Sequence, residues 1–116
     1  MADRVSARHV WVVEDERPAA DLAVELCESS GATTSLFMAP LPYLAALREG
    51  RPPMTVVLDW RLEHQLSAAL FLATRHRHPG LPIICWTGSA ASTLPAMIRD
   101  DPLVLIVDKA GGTEPF

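Results

Sequence analysis

The sequence predicts an α/β protein with three layers, built on a doubly wound, five-stranded parallel sheet. Three observations carry the prediction. Five short apolar runs recur along the chain: His9–Glu14, Thr33–Phe37, Met54–Leu58, Pro82–Trp86 and Leu103–Val107. Most are apolar throughout rather than alternating, so each of those strands needs cover on both faces. Stretches of helical period separate them, and parallel neighbours require such crossovers. A length of 116 residues argues for one domain, 1–116, with a single core.

In chain order, His9–Glu14 is a β-branched run that turns acidic at its end. Pro18 suits the first turn of a helix, which Leu22, Val24, Leu26 and Cys27 carry to a stop at Gly31. Thr33–Phe37 is a weaker strand. Pro42–Arg48 is a short helix closed by Gly50, Pro52 and Pro53. The apolar run Met54–Leu58 ends on Asp59. Leu66–Arg77 is a helix whose last residues, Arg75, His76 and Arg77, suit the negative end of its dipole. Pro82–Trp86 leads to Thr87-Gly88. Ser92 or Thr93 can cap a short helix with Pro95 in its first turn. Leu103–Val107 leads to Asp108-Lys109. Thr113 to Phe116 read as the cap and first turn of one more helix, truncated there, so the natural chain is expected to run on.

Composition narrows the function. The chain is 49% hydrophobic and 21% charged, as an ordinary soluble globule is. No run approaches the ~18 apolar residues of a membrane span, and Met1–Arg8 has no apolar signal stretch behind it. A cytoplasmic protein is expected. A net charge of −4 disfavours nucleic acid as a direct partner. Cys27 and Cys85 sit in apolar segments and read as buried free thiols. His76 and His78 are two residues apart, cannot share a metal on a helix, and read as solvated. Trp60 and Trp86 read as wall packing.

In a doubly wound sheet the working site lies outside the carboxyl ends of the strands. The polar residues there are Glu14 and Asp15, Asp59, Thr87 and Lys109. Gathered carboxylates repel by about 4 kcal/mol per pair at 4 Å for an effective dielectric of 20. Lys109 offsets only part of that, so a hard divalent cation with oxygen ligands, Mg²⁺, is expected; the absence of His and Cys from these ends disfavours zinc. Asp59 can then act as a carboxylate nucleophile toward phosphorus. Lys109 and the Thr87 hydroxyl can bind the phosphoryl oxygens, and Gly88 leaves space for them. Phosphoryl transfer needs little beyond such positioning and charge.

The runs Val12-Val13-Glu14-Asp15-Glu16, Val57-Leu58-Asp59, Trp86-Thr87-Gly88 and Val107-Asp108-Lys109, in that order and spacing, resemble the CheY-like receiver domain of two-component response regulators. The resemblance covers nearly the whole chain. It implies a sheet of order 2-1-3-4-5, with Asp59 as phosphoacceptor and Glu14, Asp15 and Asp59 as metal ligands. The backbone carbonyl of Arg61 would complete the metal site. Thr87 would be the switch hydroxyl and Lys109 the phosphate-binding lysine. It also implies a phosphohistidine donor on a sensor histidine kinase or phosphotransfer protein, and no enzyme activity beyond weak autophosphatase.

The chain departs from the pattern in three places. Ala110 stands where the family has proline, Ile106 stands where an aromatic usually swings, and the last helix stops at its first turn. The first two are the warrant for an alternative, a receiver-like interaction module that is not phosphorylated. Loss of the helix would expose apolar sheet next to the first strand, to be covered by a homodimer or another partner. A phosphatase of the haloacid-dehalogenase kind expects an acid where Arg61 stands. A flavin binder would be repelled by Glu14-Asp15-Glu16.

Overall fold

The computed structural model of the protein describes residues 8–60, 64–88 and 93–109. The elements run β1 (His9–Val13), α1 (Arg17–Ser29), β2 (Thr33–Phe37), α2 (Pro40–Arg48), β3 (Thr55–Asp59), α3 (His64–Arg77), β4 (Ile83–Thr87), α4 (Ala96–Arg99) and β5 (Val104–Asp108). All pairings are parallel and the strand order is β2-β1-β3-β4-β5, as the resemblance implies. Among the described residues no helix is long and apolar enough to cross a membrane.

Strand alternation divides the core in two. Val10, Val12, Val57, Trp86 and Val107 face α1, where Ala23 and Cys27 close over them. Trp11, Val13, Leu58, Ile83 and Cys85 face the other way, against Tyr43 and Leu47 of α2, Leu70 and Phe71 of α3, and Ile98 of α4. Trp11, Phe37 and Tyr43 meet edge to face, with ring centroids 5.5 to 6.0 Å apart, the geometry aromatic quadrupoles favour.

Several boundaries differ from expectation, each for a local reason. Three strands begin one residue late and run one further, making Asp59, Thr87 and Asp108 their last residues. The contact stripe of α1 is Ala20, Ala23 and Cys27, while Leu22 is 37% exposed. Small residues let the helix lie close to the sheet, so size outranks hydropathy here. α1 ends at Ser30 and Gly31, whose φ of +94° suits glycine. α2 starts at Pro40 because proline loses nothing in a first turn. Pro95 is not inside α4 but caps it: at ψ 152° its carbonyl accepts from Ile98 and Arg99 at 3.0 and 3.1 Å, and no side chain caps the helix. Ser92 lies outside the described residues.

The bare patch expected beside the first strand is not on that strand, since Val10 and Val12 are buried beneath α1. Among the described residues, Leu105 of β5 is an exposed apolar side chain on that face, at 53%. Residues 113–116, where a last helix would begin, lie outside the described residues, as does Ala110. Ile106 is half-buried and packs against the α2/α3 side of the core.

The two arginines closing α3 serve as carbonyl clamps. Arg77 donates to Leu47 O at 3.2 Å and Arg48 O at 2.9 Å, the orphan carbonyls ending α2. Arg75 donates to Asp101 at 2.9 Å and to the carbonyls of His78, Pro79 and Leu81 at 3.3, 3.1 and 2.7 Å. Arg75→Met is expected to destabilise the fold by about 2–4 kcal/mol, because it leaves the shielded Asp101 carboxylate without its cation and takes a donor from three carbonyls. A urea midpoint shift worth under ~0.5 kcal/mol would show the clamp to be ornamental. His76 is exposed as expected, but His78 is half-buried, and that burial lowers its pKa.

Candidate functional site

Three strands build one cleft. β1 ends at Val13, and Glu14 N continues the ladder by donating to Phe37 O at 3.0 Å. The chain then turns through Asp15 and Glu16 into α1. Glu14 is 1% exposed, and its Oε2 accepts from Glu16 N at 3.2 Å, so the turn fixes its carboxylate. Asp59 ends β3, is equally buried, and lies opposite Trp86 in register. Its carbonyl accepts from Ser67 Oγ at 3.0 Å, which ties the strand end to α3. Lys109 follows the last residue of β5.

The cleft, about 430 Å³, is lined by Glu14, Asp15, Glu16, Asp59 and Lys109. Lys109 Nζ donates to Asp59 Oδ1 at 2.9 Å and makes an ion pair with Glu14 Oε1 at 3.0 Å. Carboxylate oxygens of Glu14, Asp15 and Asp59 lie within 4.8 Å of one another. An all-oxygen set of this kind fits a hard divalent cation and not zinc. Arg61, expected to add a carbonyl, lies outside the described residues. A roomier groove between α1 and β2, about 630 Å³, is lined by Arg17, Asp21, Glu25 and Glu28 among others. Its charges are spread along a solvated helix face and do not converge on a point.

The electrostatics follow from burial and charge. Burial is the largest influence on Glu14 and, with the neighbouring Asp59 carboxylate, raises its pKa to about 7 against the pull of Lys109. For Lys109, burial alone would lower the pKa, but the bonds to Asp59 and Glu14 outweigh it and raise it. Cys85 is pushed up to about 12 by burial and by the Asp59 charge, and Cys27 is raised by burial. Both are free, buried and poor nucleophiles.

Of the residues singled out from sequence, Glu14, Asp15, Asp59 and Lys109 meet in the cleft. Thr87 ends β4, one residue past the register partner of Asp59, and is fully buried. It stands outside the cleft lining. Sequence reading passed over Ser67; a polar residue on the buried stripe Ser67-Leu70-Phe71-Thr74 was the available signal. It also took Trp86 for plain packing, whereas Lys109 Nζ lies over that ring, 5.2 Å from its centroid. Nothing in the spacing pointed to this contact.

No protein-family model matches the sequence, and neither does any curated protein. Solved structures do match. A response regulator receiver domain (CheY-like) from Methylobacillus flagellatus superposes with a TM-score of 0.76 at 22% identity, covering 95% of each chain. A response regulator receiver protein from Sinorhizobium medicae gives 0.73 at 18% identity, over 90% of this chain and 84% of that one. NtrX from Brucella abortus gives 0.72 at 28% identity, over 89% of this chain but 23% of that much longer one. With the strand order and helix placement above, these likenesses establish that the chain has the fold of the CheY-like response regulator receiver domains.

Proposed function

We propose that the protein is a phosphoacceptor receiver domain, in which Asp59 takes a phosphoryl group from a phosphohistidine on a sensor histidine kinase or phosphotransfer protein. One observation carries this reading: a single ammonium, Lys109 Nζ, reaches the carboxylates of both Asp59 and Glu14 within 3.0 Å at the strand-end rim. Such a cation can follow the charge when it moves from carboxylate to phosphate. Glu14, Asp15 and Asp59 would hold Mg²⁺, which when bound neutralises phosphoryl oxygens.

In the step itself, a carboxylate oxygen of Asp59 attacks phosphorus. The P–N bond to the donor imidazole breaks, its electron pair leaving with the ring, and the acyl phosphate remains on Asp59. Lys109 exchanges its bond to Asp59 Oδ1 for a phosphoryl oxygen. Ser67 holds the Asp59 backbone in place, which limits misorientation of the nucleophile. The domain turns over no substrate of its own beyond slow loss of this phosphoryl group.

Intact mass after acetyl phosphate and Mg²⁺ tests the proposal. The wild type should gain one phosphoryl group, lost again at alkaline pH as acyl phosphates are, and Asp59→Asn should gain none. Addition to both proteins would mean another acceptor. Addition to neither, with no response to Mg²⁺, would leave the fold serving as an interaction module.

A further inference from the structure

The geometry points to Trp86 as a positioning residue for Lys109, holding the ammonium at the cleft while its carboxylate contacts change hands. The inference rests on the phosphoacceptor reading and adds to it a residue that chemistry alone would not nominate. Trp86 is 1% exposed and packed among Val12, Val57 and Val107, so its ring is fixed by the core. It is the register partner of Asp59 on one side and of Val107, two residues before Lys109, on the other. Ring and acceptor thus sit on adjacent strands, and the lysine directly follows the next one.

The Lys109 ammonium has three holds: Asp59 Oδ1 at 2.9 Å, Glu14 Oε1 at 3.0 Å, and the Trp86 face at 5.2 Å from the centroid. That last distance is inside the ~6 Å reach of a cation–π contact. The first two holds are on carboxylates that a metal ion and a phosphoryl group would claim. The indole is neither a metal ligand nor a formal charge, so its attraction persists when the carboxylates are taken. An ammonium without that third hold would be free to swing into solvent on a flexible four-carbon stem.

The experiment uses the whole chain, Trp86→Phe, Trp86→Leu, and each combined with Lys109→Met. The first readout needs no phosphodonor: the Lys109 Hε resonances of the wild type should be shifted upfield by the indole ring. That shift should survive in Trp86→Phe and vanish in Trp86→Leu. The second readout is the rate of phosphoryl uptake from acetyl phosphate with Mg²⁺. Trp86→Leu should slow it about tenfold, as loss of a partly desolvated cation–π contact implies, and Trp86→Phe by no more than about threefold. Both variants shrink a buried side chain, so a packing effect alone would slow both and would persist without the lysine. In the Lys109→Met background the two should take up phosphoryl equally. Unshifted Hε resonances in the wild type, read before any variant is made, overturn the inference, and so does a Phe variant as slow as Leu. If the ring shift is present and phosphoryl uptake absent, the phosphoacceptor reading fails and the contact between ring and lysine stands.

Discussion

Lys109→Met should slow phosphoryl uptake at Asp59 by about 100-fold or more, the usual cost of removing a preorganised charge from a transition state. The same change should tighten Mg²⁺ binding. Lys109 Nζ pairs with Asp59 Oδ1 and Glu14 Oε1, on two of the three carboxylates whose oxygens lie within 4.8 Å of one another. Removing a unit charge a few ångströms from an incoming cation strengthens binding by about tenfold or more even at high effective dielectric. Slower chemistry with a tighter metal separates the lysine's catalytic part from its part as a counter-ion. Without Mg²⁺ the variant should also lose about 2–4 kcal/mol of stability above neutral pH, since two buried carboxylates are left uncompensated. Calorimetric Mg²⁺ titration and a time course of intact mass read both effects. Unchanged uptake would reduce Lys109 to a structural counter-ion.

The second large effect is a pH dependence set by Glu14. Its pKa is near 7 in the metal-free fold against an ordinary 4.5, chiefly because it is buried. Between those values the folded state binds more protons than the unfolded chain, so stability falls as pH rises. The fold should therefore lose on the order of 3 kcal/mol between pH 4.5 and 7.5 from this group. Glu14→Gln should flatten that slope, because an amide has no charge to bury. Saturating Mg²⁺ should flatten it too, and Mg²⁺ affinity should climb through the same window, because the ligand must shed its proton. Thermal unfolding at stepped pH, with and without Mg²⁺, tests this. A metal-free slope identical in wild type and Glu14→Gln would show that Glu14 ionises normally.

Much of the site was legible in the sequence because strand ends are legible. An apolar run such as Met54–Leu58 gives way to a polar residue at the end of its strand, and in a parallel sheet those ends share one rim. That logic brings Glu14, Asp15, Asp59 and Lys109 together, and strand order follows from the resemblance. Sequence was weaker on which face of an element is buried. It weighted Leu22 by hydropathy, whereas the close approach of α1 to the sheet selected Ala20, Ala23 and Cys27. It also placed Pro95 inside a helix that Pro95 in fact begins.

By itself, then, the chain determined its alternation of elements and the chemistry gathered at one rim, because both depend on local pattern and on the rule that polar groups end buried strands. Tertiary structure alone decided that Ser67 grips the Asp59 carbonyl, that burial lifts Glu14 toward neutrality, and that Lys109 rests over Trp86. Each of these arises where different elements of the fold pack together. Their distances are set by how closely helix packs on sheet and strand on strand, a quantity no local pattern contains.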